Sequence, residues 1–150
     1  MSARVRDVVR DVVAEVAPDE VLLLDRLAPL DEGRVTRLFE RGVRAHQDLL
    51  DCDHVDVTAP VTPVVWLALD EAARRTACRA ADRRTPLLHH LFRRTPRPPP
   101  AIRSLTASQL DAVRHLVRDR ARSARLGEDA AATLADAVTC RLSLELTDAG

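Results

Sequence analysis

Valines open the chain at a spacing that only a helix gathers to one side. Val5, Val8, Val9, Val12, Val13 and Val16 step by 3, 1, 3, 1 and 3, which is one stripe at the helical period. Asp7, Asp11 and Glu15 fall on a separate row, read as a solvated face and not as paired catalytic acids. A helix over 3–17 follows, and valine's modest helix propensity makes it depend on tertiary contact. Pro18, Asp19 and Glu20 bring the fixed φ and negative charge that suit a helix N-terminus. They predict a second helix over 18–27, with Val21, Leu22, Leu23, Leu24 and Leu27 largely buried. Asp31 is placed to cap a third helix running to about Arg41. Val35, Leu38 and Phe39 would point inward, and Gly42 would end the helix. Residues 43–60 carry the weakest pattern. A turn or short helix at 46–50 and then a loop are expected.

Thr62 and Pro63 suit a cap and a first helical position, and open a long helix to about Arg83. Residues 64–69 are apolar without interruption, which marks burial on every side. Ala72, Ala73, Thr76, Ala77 and Ala80 continue one face, and Asp70, Glu71, Arg74, Arg75 and Arg79 the other. Prolines at 86, 96, 98, 99 and 100 stop helices and predict an extended linker. Leu87, Leu88, Leu91 and Phe92 form an apolar turn just before it. Thr106 to Gln109 matches a capping box, with Leu105 and Leu110 as its hydrophobic staple. That helix should run to about Leu126 and be capped by Gly127. A last helix over 128–144 would turn Leu134, Ala137, Val138 and Leu142 inward. The short link between the two makes an antiparallel hairpin.

The expectation is an all-α protein: a helical bundle in 1–84, a Pro/Arg-rich linker in 85–104 and a hairpin in 105–144. The hairpin is too small to stand alone, so it should dock on the bundle or on a second chain. Composition agrees. With no Tyr, one Trp and two Phe, the interior must be Leu, Val and Ala, a mixture for close-packed helices and not for strands.

Charge sharpens the picture. The basic residues are all Arg. Residues 1–71 hold 8 Arg and 15 acids, residues 72–125 hold 14 Arg and 3 acids, and residues 126–150 hold 1 Arg and 5 acids. An acidic–basic–acidic chain either neutralises itself on folding or offers its basic part to an acidic partner. Within that part Arg114, Arg118, Arg122 and Arg125 share one helical face. Arg120 falls inside the apolar stripe between Val113 and Leu116, where it would snorkel, meet an acid such as Glu128, or contact a second chain. These five arginines are the candidate partner-binding residues. The expected partner is a protein with an acidic surface, or another copy of the chain. Nucleic acid bound through 72–125 is the alternative, weakened by zero net charge and few aromatics for stacking. The bland reading is a solvated face neutralised by the acidic N-terminal half.

Catalytic constellations are not found. Asp51, Cys52, Asp53, His54 and Asp56 are metal-capable but lack the spacing of a metal site; His89 and His90 could supply the rest in three dimensions, and the stretch is read as a polar loop. Cys78 sits a turn beyond Arg74 and Arg75, a cationic setting that can make a thiol reactive, but no histidine stands at a helical spacing to it, and it is read as a structural thiol. Glycines are too sparse for a phosphate-binding loop. Arg93, Pro96 and Pro99 match a polyproline-ligand spacing and are read as linker. A non-enzymatic interaction or adaptor module is therefore expected, with no cofactor and no metal. Three scattered cysteines, no N-terminal signal core and no run of 18 apolar residues suggest a cytoplasmic protein off the membrane.

The segments Val61-Thr62-Pro63-Val64-Val65-Trp66-Leu67-Ala68-Leu69-Asp70-Glu71-Ala72 and Leu105-Thr106-Ala107-Ser108-Gln109-Leu110 resemble small all-helical proteins of Arg-rich, GC-rich (actinobacterial-type) bacterial genomes. That resemblance implies a helical fold only. The group has no assigned activity, so no functional residue is carried over.

Overall fold

The valine stripe becomes the floor of the interior. In the computed structural model, which describes residues 3–50, 60–82, 101–102 and 105–147, helix α1 (Val5–Val16) buries Val5, Val8, Val9, Val12 and Val13 to 1% exposure or less. A single 3-10 turn at Pro18–Glu20 leads into α2 (Val21–Leu27), and α3 spans Glu32–Leu50. Helix α4 (Val61–Asp82) runs through the centre, and α5 (Ala107–Ser123) and α6 (Glu128–Thr147) form the C-terminal hairpin. Strands β1 (Ala3–Arg4) and β2 (Ala101–Ile102) make a two-residue antiparallel clasp, Ala3 facing Ile102. The fold is all-α apart from that clasp.

Helix α4 is central because its residues 64–69 are apolar all round. All six are at most 5% exposed, as burial on every side requires. Helix α3 packs on α4, α1 lies against both α4 and α6, and α5 packs on α4 and α6. Buried residues of α1, α2, α3, α4, α5 and α6 therefore join in one apolar core.

Three expectations are corrected here. Gly42 does not end α3, which runs on to Leu50. No described glycine has positive φ, so Gly42 stays helical at a cost of about 1 kcal/mol relative to alanine. Leu22 and Leu38 are 69% and 49% exposed. Short α2 can bury only one side, which holds Leu24 and Leu27, and α3 turns Val35, Thr36 and Phe39 to the core instead.

The third correction concerns Gly127. Arg125, at φ 57°, takes the left-handed position that ends α5. The Leu126 N–H donates to the Ala121 carbonyl at 3.0 Å and the Arg125 N–H to the Arg122 carbonyl at 2.8 Å. This pair of bonds is a Schellman cap. A non-glycine residue there costs roughly 1 kcal/mol. Arg125→Gly is expected to raise the unfolding free energy by about 0.5–1 kcal/mol, read from the urea midpoint. A lowered midpoint would contradict this cap.

The apolar turn at 87–92, the proline run at 96–100 and the Asp/Cys/His stretch at 51–57 lie outside the described residues.

Candidate interaction surfaces

The Arg row of α5 is formed as its spacing predicts, but the hairpin closes over it. Arg114 pairs with Asp136 of α6. Arg122 grips Glu128 through two bonds of 2.7 Å, and Arg118 reaches the same carboxylate at 3.2 Å. Asp119 adds a contact to Arg122 at 3.5 Å. Glu128 is held below its ordinary pKa, chiefly by its hydrogen bond to Arg122, and Arg122 is raised by the same bond. The row is thus neutralised mainly by the acidic C-terminal helix and not by the N-terminal half. Arg125 stands apart at the cap. Among the described residues it has no ion-pair partner.

Arg120 meets an acid, but the acid is Glu71 of α4 and not Glu128. Position 120 faces across to α4, whereas Glu128 lies at the hairpin turn. Glu71 also takes Arg75. Its carboxyl is lowered, first by the hydrogen bond from Arg120 and against the push of burial. Arg120 thereby ties α5 to α4, on a carboxylate that Arg75 holds from within α4 itself.

A second polar group lies deeper. The Trp66 indole N–H donates to the Thr36 hydroxyl at 3.0 Å, joining α4 to α3. Thr36 also favours the charged form of Asp70, one turn further along α4. Asp70 is 5% exposed and pairs with Arg74 at 2.7 Å. Burial raises its pKa above the ordinary 3.8, against the opposing pull of Arg74 and Thr36. Glu32, at the start of α3, is raised as well, first by burial. A carboxyl raised on folding binds its proton more tightly in the native state. Its contribution is therefore fully present below 3.8 for Asp70 and is lost as pH rises through the higher native value. Asp70→Asn removes this contribution. Wild type should gain stability relative to the variant as pH falls from about 7 to about 4. Urea midpoints at both pH values measure it, and a constant difference would refute the assignment.

Sequence reading missed Arg6. It lies at the edge of the valine stripe and donates to the carbonyls of Ala28 and Leu30, both at 2.7 Å. It thereby satisfies the open C-terminal end of α2, while its guanidinium lies 5.9 Å from the Trp66 ring centroid. Local spacing carries no signal for this contact. The α1 acid row is only partly a wet face, since Asp11 accepts from Arg141 of α6 at 2.7 Å.

Among the described residues no group of three metal-ligating side chains gathers. A shallow open cleft between α1 and α6 is lined by Glu15, Val16, Thr133, Asp136, Ala137 and Cys140, and its Asp136 is already engaged by Arg114. Cys78 and Cys140 are both exposed. No described helix is long and apolar enough to cross a membrane.

The outer side of α3 remains. Leu38, Gly42 and Ala45 are all exposed, one step around the helix from buried Val35 and Phe39. A Cβ built on Gly42 would meet nothing within 4 Å. The apolar arc of α3 is wider than the part the core covers. No family model, no curated protein and no solved structure matches the chain.

Proposed function

We propose that this protein is a non-enzymatic, cytoplasmic interaction module of a larger bacterial system, and that it meets its partner through the outer side of α3. The observation that carries this reading is Leu38, 49% exposed beside Val35 at 0% and Phe39 at 4%. A half-wet leucine continuing a buried stripe is what a helix presents to another helix.

The Arg row supports the reading less well. Arg114, Arg118, Arg120 and Arg122 already hold carboxylates of their own chain, so a partner would have to displace those pairs. The same pairing counts against nucleic acid, because phosphate binding draws on uncompensated cations. Native lysate passed over immobilised wild type should yield a stoichiometric protein that an immobilised Leu38→Glu variant fails to hold. Equal recovery on both would remove α3 from consideration.

A further inference from the structure

Half of the arginines in the acidic part of the chain gather on one side of α3. Residues 1–71 hold 8 Arg, and Arg34, Arg37, Arg41 and Arg44 are four of them. They step by 3, 4 and 3, so they share one helical face, and all four are exposed. From Arg34 to Arg44 the row spans about 15 Å. It differs from the α5 row in what faces it. The α5 arginines meet Asp136, Glu128 and Glu71 of other segments, whereas α3 packs on α4 through its opposite side. Among the described residues the row has one ion pair, Arg34 with Asp31 at 3.3 Å, both well exposed. An exposed pair of that kind holds little energy. Arg37 donates to the Gly33 carbonyl of its own helix. Glu40 and Asp48 are exposed beside the row, and neither pairs with it among the described residues. Leu38 borders the arginines, four residues after Arg34 and three before Arg41, and is 49% exposed.

We propose that this side of α3 takes an acidic amphipathic helix of a partner protein, one with carboxylates every third or fourth residue beside an apolar row. The inference rests on the α3 surface assigned above and names the chemistry of its occupant. Charge complementarity carries it. A guanidinium accepts a carboxylate in a two-bond fork, and charges flanking an apolar seam select which helix pairs with which. Apolar side chains of the partner would lie over Leu38, with Gly42 and Ala45 leaving room beside it, since a Cβ on Gly42 would meet nothing within 4 Å. A phosphate backbone would use the arginines and leave Leu38 without a role. Phe39 is buried, and no aromatic ring is exposed among the described side chains of α3 to stack a base. The same surface therefore fits a protein better than a nucleic acid.

The test uses the purified full chain and a labelled synthetic helix of about three heptads, with a Leu row flanked by Glu. A second peptide carries Lys in place of each Glu. By fluorescence anisotropy at low salt the Glu peptide should bind at least about tenfold more tightly than the Lys peptide, and its binding should weaken steeply as salt is added. Arg41→Glu, with an unchanged circular dichroism spectrum, should weaken it about tenfold. Arg125→Glu makes the same change in net charge at the end of α5 and should stay within about twofold of wild type. Equal binding of the two peptides would overturn the proposal, as would equal losses from Arg41→Glu and Arg125→Glu. A DNA duplex of about 20 base pairs that binds more tightly than the Glu peptide, and is lost by Arg41→Glu, would overturn it in favour of nucleic acid. Should neither peptide bind while Leu38→Glu loses the lysate protein and Arg41→Glu keeps it, the acidic helix fails and the α3 surface stands.

Discussion

Trp66→Ala is expected to lower the unfolding free energy by about 3–5 kcal/mol, the range for removing a buried aromatic residue and leaving a cavity. Trp66 is 1% exposed in the middle of the all-apolar stretch of α4. Its ring meets Phe39 edge-on at 5.8 Å and lies under the Arg6 guanidinium. Its indole N–H donates to the buried Thr36 hydroxyl. The truncation therefore removes packing from α1, α3 and α4 together and takes a donor away from a buried hydroxyl. Trp66→Phe keeps most of the ring and loses the donor, and should cost about 1–3 kcal/mol. Urea unfolding followed by far-ultraviolet circular dichroism reads both, since the chain has only one Trp. A loss below about 1 kcal/mol for the alanine variant would mean that α4 is not the centre of the core.

Glu20→Ala is the second large expected loss, about 2–3 kcal/mol. The Glu20 carboxylate accepts from the Val61 N–H at 2.9 Å, the Thr62 N–H at 2.8 Å and the Thr62 hydroxyl at 2.6 Å. These are the open donors at the start of α4, and Thr62 is fully buried, so water cannot readily replace the lost acceptor. The negative charge also faces the positive end of the α4 dipole. Glu20→Gln keeps one good acceptor and drops the charge, and should cost about half as much. Equal stability of all three proteins in urea would exclude this cap.

The same residue shows where sequence reading stops. Thr62 and Pro63 place the start of α4 to within two residues, but the helix begins at Val61 and Thr62 lies inside it instead of capping it. The carboxylate that caps it comes from 41 residues away, and no pattern announces it. The valine stripe of α1, the apolar run of α4 and the Thr106/Gln109 capping box are formed as read, since each is fixed within a few residues of chain. Glycine proved a poor stop signal, with Gly42 inside a helix and Gly127 displaced as a cap by Arg125. Its preference for left-handed backbone does not oblige it to adopt one. The Arg row was legible as a row, but its neutralisation needed the hairpin fold to bring Asp136 and Glu128 alongside. Leu38 was legible as apolar. That it faces outward depends on how far α1 and α4 reach around α3, which periodicity does not encode.

The pairing of α1 with α6 has a consequence for how the chain comes into being. Asp11 waits for Arg141, 130 residues later, and the first helix shares its interior with the last. A nascent chain emerging from the ribosome must carry its valine stripe half-wet until the final helix is synthesised. Such distant closure slows folding and leaves the emerging N-terminal half in need of protection by chaperones.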